Sequence, residues 1–295
     1  MTPDASQLSA ISRLFSSAVF REMAKKGRSS IFARLIGETR IREFCGAGAT
    51  VGEAFDEAFA VLRRVGQRDE YIYRAALIRN ILLGKHSLNT ASMLNEFRAG
   101  ACKADLVILN GTATVYEIKS ERDSLSRLAR QVENYRKVFA KVYVIASESH
   151  VRGVIDTVPE EVGVMSLCRR LHISEIRDGI DRPDLVCPQA VFDSLRSAEA
   201  RAILKALGAA VPEVPNTLLH GAMREAFGQL RPADVHKAMV GTLKRTRNLA
   251  PLGALVDRLP NSLHAAALSI QVRSADHDRL VDAVRTPLGV ATAWT

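Results

Sequence analysis

Apolar residues recur at threes and fours through "LSAISRLFSSAVFREMAKK" and "TVGEAFDEAFAVLRRV", a period that predicts helices over residues 1–66. Gly46 and Gly48 in "FCGAGAT" read as the connector between them, with Thr50 as the N-cap ahead of Val51. "DEYIYRAALIRNILLGK" keeps the helical period and ends near Gly84. The pattern then changes. "DLVIL" and "ATVYEIK" are short apolar runs around Asn110-Gly111-Thr112, which predicts a β-hairpin. "DSLSRLARQVENYRKVFA" returns to the helical period, with Leu125, Leu128, Ala129, Val132, Tyr135 and Phe139 as its apolar stripe. "KVYVIA" and "GVMSL" read as buried strands, and from about residue 190 the helical period resumes between prolines at 212, 215, 232, 251 and 260.

This order predicts three consecutive segments: a helical N-terminal extension over 1–66, a core over 67–188 and a helical C-terminal region over 189–295. The expected fold class is α/β of mixed α+β type, a small mixed sheet flanked by helices.

Charged positions inside the hairpin do not fit a purely apolar sheet. Glu117 and Lys119 are two apart on one strand and project from the same face. Buried there, they need a partner or a metal. The bland alternative is an ion pair facing water on an edge strand. Acid-x-Lys spacing occurs at one of the ten lysines, and it falls at the end of a β-like run. Asp105 opens the preceding strand, where aspartate has poor β-propensity. A two-residue turn would set Asp105 across from Tyr116. A three-residue loop, Asn110 to Thr112, or a bulge sets it across from Glu117.

Two converging carboxylates repel unless a cation neutralises them, and Mg²⁺ or Mn²⁺ suits such oxygen ligands. A lysine beside them is placed to act on an attacking water or on a phosphate, the parts needed for metal-assisted phosphodiester hydrolysis. The formal net charge of +9 with a pI near 9.6 favours an anionic partner. Cys45, Cys102, Cys168 and Cys187 lack metal-ligand spacing and read as reduced thiols. The histidines show no H-x-H or H-E-x-x-H spacing, and neither a phosphate-binding G-x-x-x-x-G-K-[ST] loop nor a G-x-S-x-G elbow is present. "FREMAKK" interrupts any leader-like apolar run, and no stretch is long enough to span a bilayer, so a cytoplasmic location without membrane contact is expected.

Asp105, then "EIK" at Glu117, Ile118 and Lys119, then a helix carrying "QVENY", resembles the PD-(D/E)xK (restriction-endonuclease-like) nuclease superfamily. Gln131 and Tyr135 match the Q-x-x-x-Y element of its RecB-like branch, four residues apart on one helix face. The stretch from Gly100 to Tyr135 more narrowly resembles a bacterial branch known by a locus-tag name of the "Sce" type. The superfamily's "PD" is here Ala104-Asp105. The resemblance implies a restriction-endonuclease-like core and a Mg²⁺- or Mn²⁺-dependent nuclease acting on DNA. It implies Asp105, Glu117 and the Ile118 carbonyl as metal ligands, Lys119 as the catalytic cation, and Gln131 with Tyr135 as orienting residues. Glu96 is implied as a further acidic ligand, ahead of Asp69 and Glu70. Arg122, Arg127 and Arg130 are the candidate phosphate contacts; a solvated helix face explains them equally well. A second basic segment, Arg231 to Arg247, reads as a packed helix or, with less weight, a DNA-reading element. Two further settings stay open: a non-catalytic DNA-binding or interaction module on the same scaffold, and a defence or repair effector acting as a homo-oligomer or with a partner protein.

Overall fold

The computed structural model describes residues 3–64 and 68–295; the boundary expected at 66–67 lies outside the described residues. The fold is mixed α/β: a six-stranded mixed sheet flanked by helices, with helical N- and C-terminal regions. Helices α1 (Ala5–Leu14), α2 (Ser17–Lys26), α3 (Ser30–Gly37), α4 (Ile41–Phe44), α5 (Val51–Leu62) and α6 (Glu70–Leu77) come first. Strands β1 (Ser92–Ala99), β2 (Cys102–Asn110), β3 (Thr112–Lys119), β4 (Lys141–Ala146), β5 (Gly163–Leu167) and β6 (Ile173–Arg177) lie in that order across the sheet. Helices α7 (Leu128–Arg136) and α8 (Val151–Thr157) follow β3 and β4 respectively. Helices α9 (Pro188–Ser194), α10 (Ser197–Ala206), α11 (Asn216–Gly228) and α12 (Pro232–Thr246) follow the sheet. The chain closes with α13 (Gly253–Val256), α14 (His264–Ser269), α15 (His277–Arg285) and α16 (Leu288–Ala291). No helix among the described residues is long and apolar enough to cross a membrane.

The division into units differs from three consecutive segments. One unit joins the residues up to Ile81 with Arg169–His172 and Ala250–Thr295; the other comprises Leu82–Cys168 and Ile173–Leu249. The helical tail is therefore split at residue 249, because its two halves bury different apolar faces. In the helical unit Thr50 caps α5 through a capping box with Glu53, as the sequence predicts. The same end of α5 is tied to the tail where Val51 N–H donates to the Thr286 carbonyl at 2.9 Å. Gly52 lets α15 approach, since a Cβ there would lie 3.1 Å from Val284 Cγ1.

In the sheet unit, β1/β2, β2/β3 and β5/β6 pair antiparallel, while β3/β4 and β4/β5 pair parallel. One face carries Val107, Leu109, Ala113, Val115, Val142, Val144 and Val164, and α7, α8 and α12 contribute to the core over it. On α12, Val235, Met239, Val240 and Leu243 form a helical stripe buried in that core. At the basic end of α12, Arg245 is exposed while its neighbours are tied down. Lys244 Nζ donates to the Thr90 carbonyl at 2.6 Å, and Arg247 donates from Nε and a terminal nitrogen to the two oxygens of Glu199, each at 3.0 Å. The Arg247 guanidinium also lies 5.1 Å from the centre of the Phe97 ring. The packed-helix reading accounts for Lys244 and Arg247, while Arg231 and Arg245 are exposed.

His236, buried on α12, ties that helix to the hairpin by accepting from the Ala113 N–H at 3.2 Å through Nε2. Ala113 sits one residue before the parallel pairing with β4 begins at Thr114↔Lys141, so its outward N–H lacks a strand partner. Burial lowers the His236 pKa, opposed by the charge of Asp181. A depressed histidine leaves the unfolded chain binding more protons, so its stabilisation is complete above the unfolded value, about 6.5, and is lost as pH falls below it. The melting temperature of the wild type should therefore drop more between pH 7.5 and pH 5.5 than that of His236→Gln. Parallel pH profiles for the two proteins would remove His236 as the cause.

Candidate functional site

The hairpin has the odd loop that brings the acidic residues together. The register runs Leu106↔Tyr116, Val107↔Val115, Ile108↔Thr114, Leu109↔Ala113 and Asn110↔Thr112, with Gly111 alone at the tip at φ +75°. Continued by one residue, it sets Asp105 level with Glu117 on the face of Val107 and Val115. The ladder itself stops at Leu106↔Tyr116. There β2 leaves β3, and Asp105 Oδ2 takes the Ile118 N–H at 2.8 Å in place of a main-chain carbonyl. An N–H and C=O of one strand residue point to the same side. The Ile118 carbonyl thus also faces the opening beside Asp105.

Glu117, Lys119, Gln131 and Tyr135 form one network where α7 crosses β3. Lys119 Nζ donates to Glu117 Oε1 at 2.7 Å and to Gln131 Oε1 at 3.0 Å, and the Gln131 amide nitrogen donates to the same Glu117 oxygen. The Tyr135 hydroxyl lies 2.7 Å from both Glu117 Oε2 and the Lys103 carbonyl, and having one hydrogen it donates to one of them at a time. Glu117 is 1% exposed and Lys119 7%, which excludes an ion pair facing water. Burial raises the Tyr135 pKa strongly, reinforced by the negative charges of Glu117 and Asp105. That phenol stays protonated and acts as a hydrogen-bond donor. The spacing of Gln131 and Tyr135 works as the helical period requires: side chains four apart meet one strand.

Other expected residues are placed differently. Glu96 is level with Asp105 in the β1/β2 register, but its own pair is missing there and its backbone has φ +48°. This interruption lets Leu94 and Phe97, three residues apart, both enter the core, which strict alternation forbids. The Glu96 carboxylate is exposed and reaches Lys103 at 3.5 Å. Asp69 instead caps α6, accepting from the Ile72 N–H at 3.2 Å, and Glu70 pairs with Arg74. Among the described residues no three His, Cys, Asp or Glu side chains gather as metal ligands. The helix expected over 123–140 is shorter. Asp123 Oδ2 accepts from the Ser120 N–H at 2.8 Å and the Ser120 hydroxyl at 2.7 Å, closing a turn that delays α7 to Leu128. Arg122 accordingly lies in the loop, Arg127 at the N-cap and Arg130 in the first turn, all exposed.

Asp105 is engaged by the Ile118 N–H, and both oxygens of the buried Glu117 are engaged by Lys119, Gln131 and Tyr135.

The family described as Bacteriophage P4 protein cII matches residues 63–247 of the chain. Protein cII of Enterobacteria phage P4 is 32% identical over 108 residues, or 36% of this chain and 40% of that protein, so the chain spans two fifths of that relative's length. Among solved structures, the SPO1766 protein of unknown function from Silicibacter pomeroyi matches with a TM-score of 0.31 at 16% identity, covering 47% of this chain and 93% of that one.

Proposed function

The chain belongs to the bacteriophage P4 protein cII family, and we propose that it is a nuclease that hydrolyses DNA phosphodiester bonds with Mg²⁺ or Mn²⁺. The observation that carries this reading is the register of the hairpin. An odd loop sets Asp105 level with Glu117, and Lys119 shares the face of Glu117. In this reading Asp105, Glu117 and the Ile118 carbonyl hold the cation. When bound, the cation stabilises negative charge on the reacting phosphate. Lys119 holds an ammonium beside the carboxylates, where it can orient the attacking water or meet charge on the phosphate. Gln131 fixes the relative position of Glu117 and Lys119 by donating to one and accepting from the other. Tyr135 anchors Glu117 from the helix side. Arg122, Arg127 and Arg130 supply exposed cations for the DNA backbone.

The test is cleavage of plasmid, linear duplex, single-stranded DNA and RNA, with Mg²⁺, Mn²⁺ or a chelator. Metal-dependent cutting of at least one DNA substrate is expected, abolished by chelation. A second reading has its own support: every Glu117 oxygen already has a partner in a buried network, an arrangement that also serves structure alone. It makes the chain a non-catalytic DNA-binding module. Salt-sensitive DNA binding with no cleavage under any metal would favour it over the nuclease.

A further inference from the structure

The β1–β2 hairpin outruns its neighbour. Pairing of β1 with β2 continues to Ala99↔Cys102, whereas β2 leaves β3 after Leu106↔Tyr116. Residues 96–105 therefore overhang the end of the β2/β3 ladder, with Asp105 at the base of the overhang. Phe97, Ala99 and Ala104 turn into the core, which leaves Arg98 and Lys103 on the outer side. These two cations are direct cross-strand partners, and both are exposed. Like charges placed opposite one another weaken an antiparallel pair. Their local compensation is slight. Arg98 Nε donates to the Gly100 carbonyl at 3.4 Å, and Lys103 reaches Glu96 at 3.5 Å with the two side chains 70% and 68% exposed.

The overhang is mounted on the network described above. Gly100 sits at φ +58°, and Asn134 of α7 packs against it so closely that a Cβ would lie 2.3 Å from Asn134 Oδ1. One residue further along α7, the Tyr135 hydroxyl lies 2.7 Å from the Lys103 carbonyl and from Glu117. Lys103 and Asp105 are two residues apart, about 7 Å along a strand. That is about two base-pair rises along one strand of a duplex.

We propose that Arg98 and Lys103 form a phosphate clamp. One backbone phosphate of the nucleic acid, within a nucleotide or two of the bond to be cut, binds between the guanidinium and the ammonium and neutralises their repulsion. The proposal deepens the nuclease reading and rests on it for the identity of the ligand. It is tested by fluorescence anisotropy of a labelled DNA duplex with Ca²⁺ across a salt series, for the wild type and Arg98→Ala/Lys103→Ala. Loss of one phosphate contact should lower the slope of log affinity against log salt by about 0.9 and weaken binding about tenfold. The charge-keeping swap Arg98→Lys/Lys103→Arg should retain both, and Arg21→Ala, exposed on α2, should change neither. In cleavage assays the double alanine variant should raise KM and leave kcat alone. A double variant with wild-type slope and affinity overturns the clamp alone. A wild type that binds DNA without cutting overturns the nuclease reading, and the slope still decides the clamp. A wild type that binds no nucleic acid overturns both.

Discussion

If the chain is the proposed nuclease, Lys119→Met should abolish its metal-dependent DNA cleavage and should loosen the fold in the same stroke. The burial of the network couples the two effects. Lys119 is 7% exposed and its ammonium is the cation at Glu117, itself 1% exposed. Removing one member of a buried pair leaves the other charge uncompensated, at a cost of about 3–5 kcal/mol. Loss of a positioned proton-transfer or charge-stabilising group lowers the rate by about 10²–10⁴-fold. The double variant Glu117→Gln/Lys119→Met separates the two effects. With both charges gone, it should recover most of the lost melting temperature and stay inactive. A single variant that keeps both its melting temperature and its cleavage rate would refute the pairing and the catalytic role together.

Glu199→Ala should cost about as much stability without touching the chemistry. Glu199 is 3% exposed and takes both donors of Arg247, the Arg196 N–H at 2.9 Å and the Thr246 hydroxyl at 3.2 Å. Burial pushes its pKa up, but the hydrogen bonds from Arg247, Arg196 and Thr246 together with the Arg247 charge outweigh this and hold it below the usual value. A depressed carboxylate stabilises above its unfolded pKa, near 4.5, and loses that contribution as pH falls through the folded value. Alanine should lower stability by about 3 kcal/mol or more at neutral pH, measured by denaturant unfolding, and the difference from wild type should shrink in acid. Cleavage per folded molecule should be unchanged. A Glu199→Ala protein of wild-type stability at neutral pH would show that Arg247 and Phe97 hold α12 without the carboxylate.

Much of the site was legible because it follows local periods. Glu117 and Lys119 share a strand face by the two-residue repeat, and Gln131 and Tyr135 share a helix face by the turn of the helix. The odd hairpin loop followed from asking where Asp105 must lie, and the observed register agrees. The parts that escaped depend on contacts remote in sequence. The strand at Ser92–Ala99 carries no regular alternation because Glu96 interrupts it, and at that interruption the Glu96 carboxylate lies exposed beside Lys103. The ladder break that lets Asp105 take the Ile118 N–H, and the His236 bond to Ala113 across 123 residues, leave no mark in any short window.

The amino-acid sequence by itself determined the element types of β2, β3, α7, β4 and β5, the cap at Thr50, and which polar side chains share a face, since each depends on dihedral periods within a few residues. Only the tertiary structure decided that the helical tail divides at residue 249, that Lys244 and Arg247 serve Thr90 and Glu199, and that the Glu96 carboxylate lies exposed beside Lys103. Those outcomes turn on which apolar faces bury each other and which charges are desolvated together. Such free energies belong to pairs of distant segments and exist only once the chain is packed.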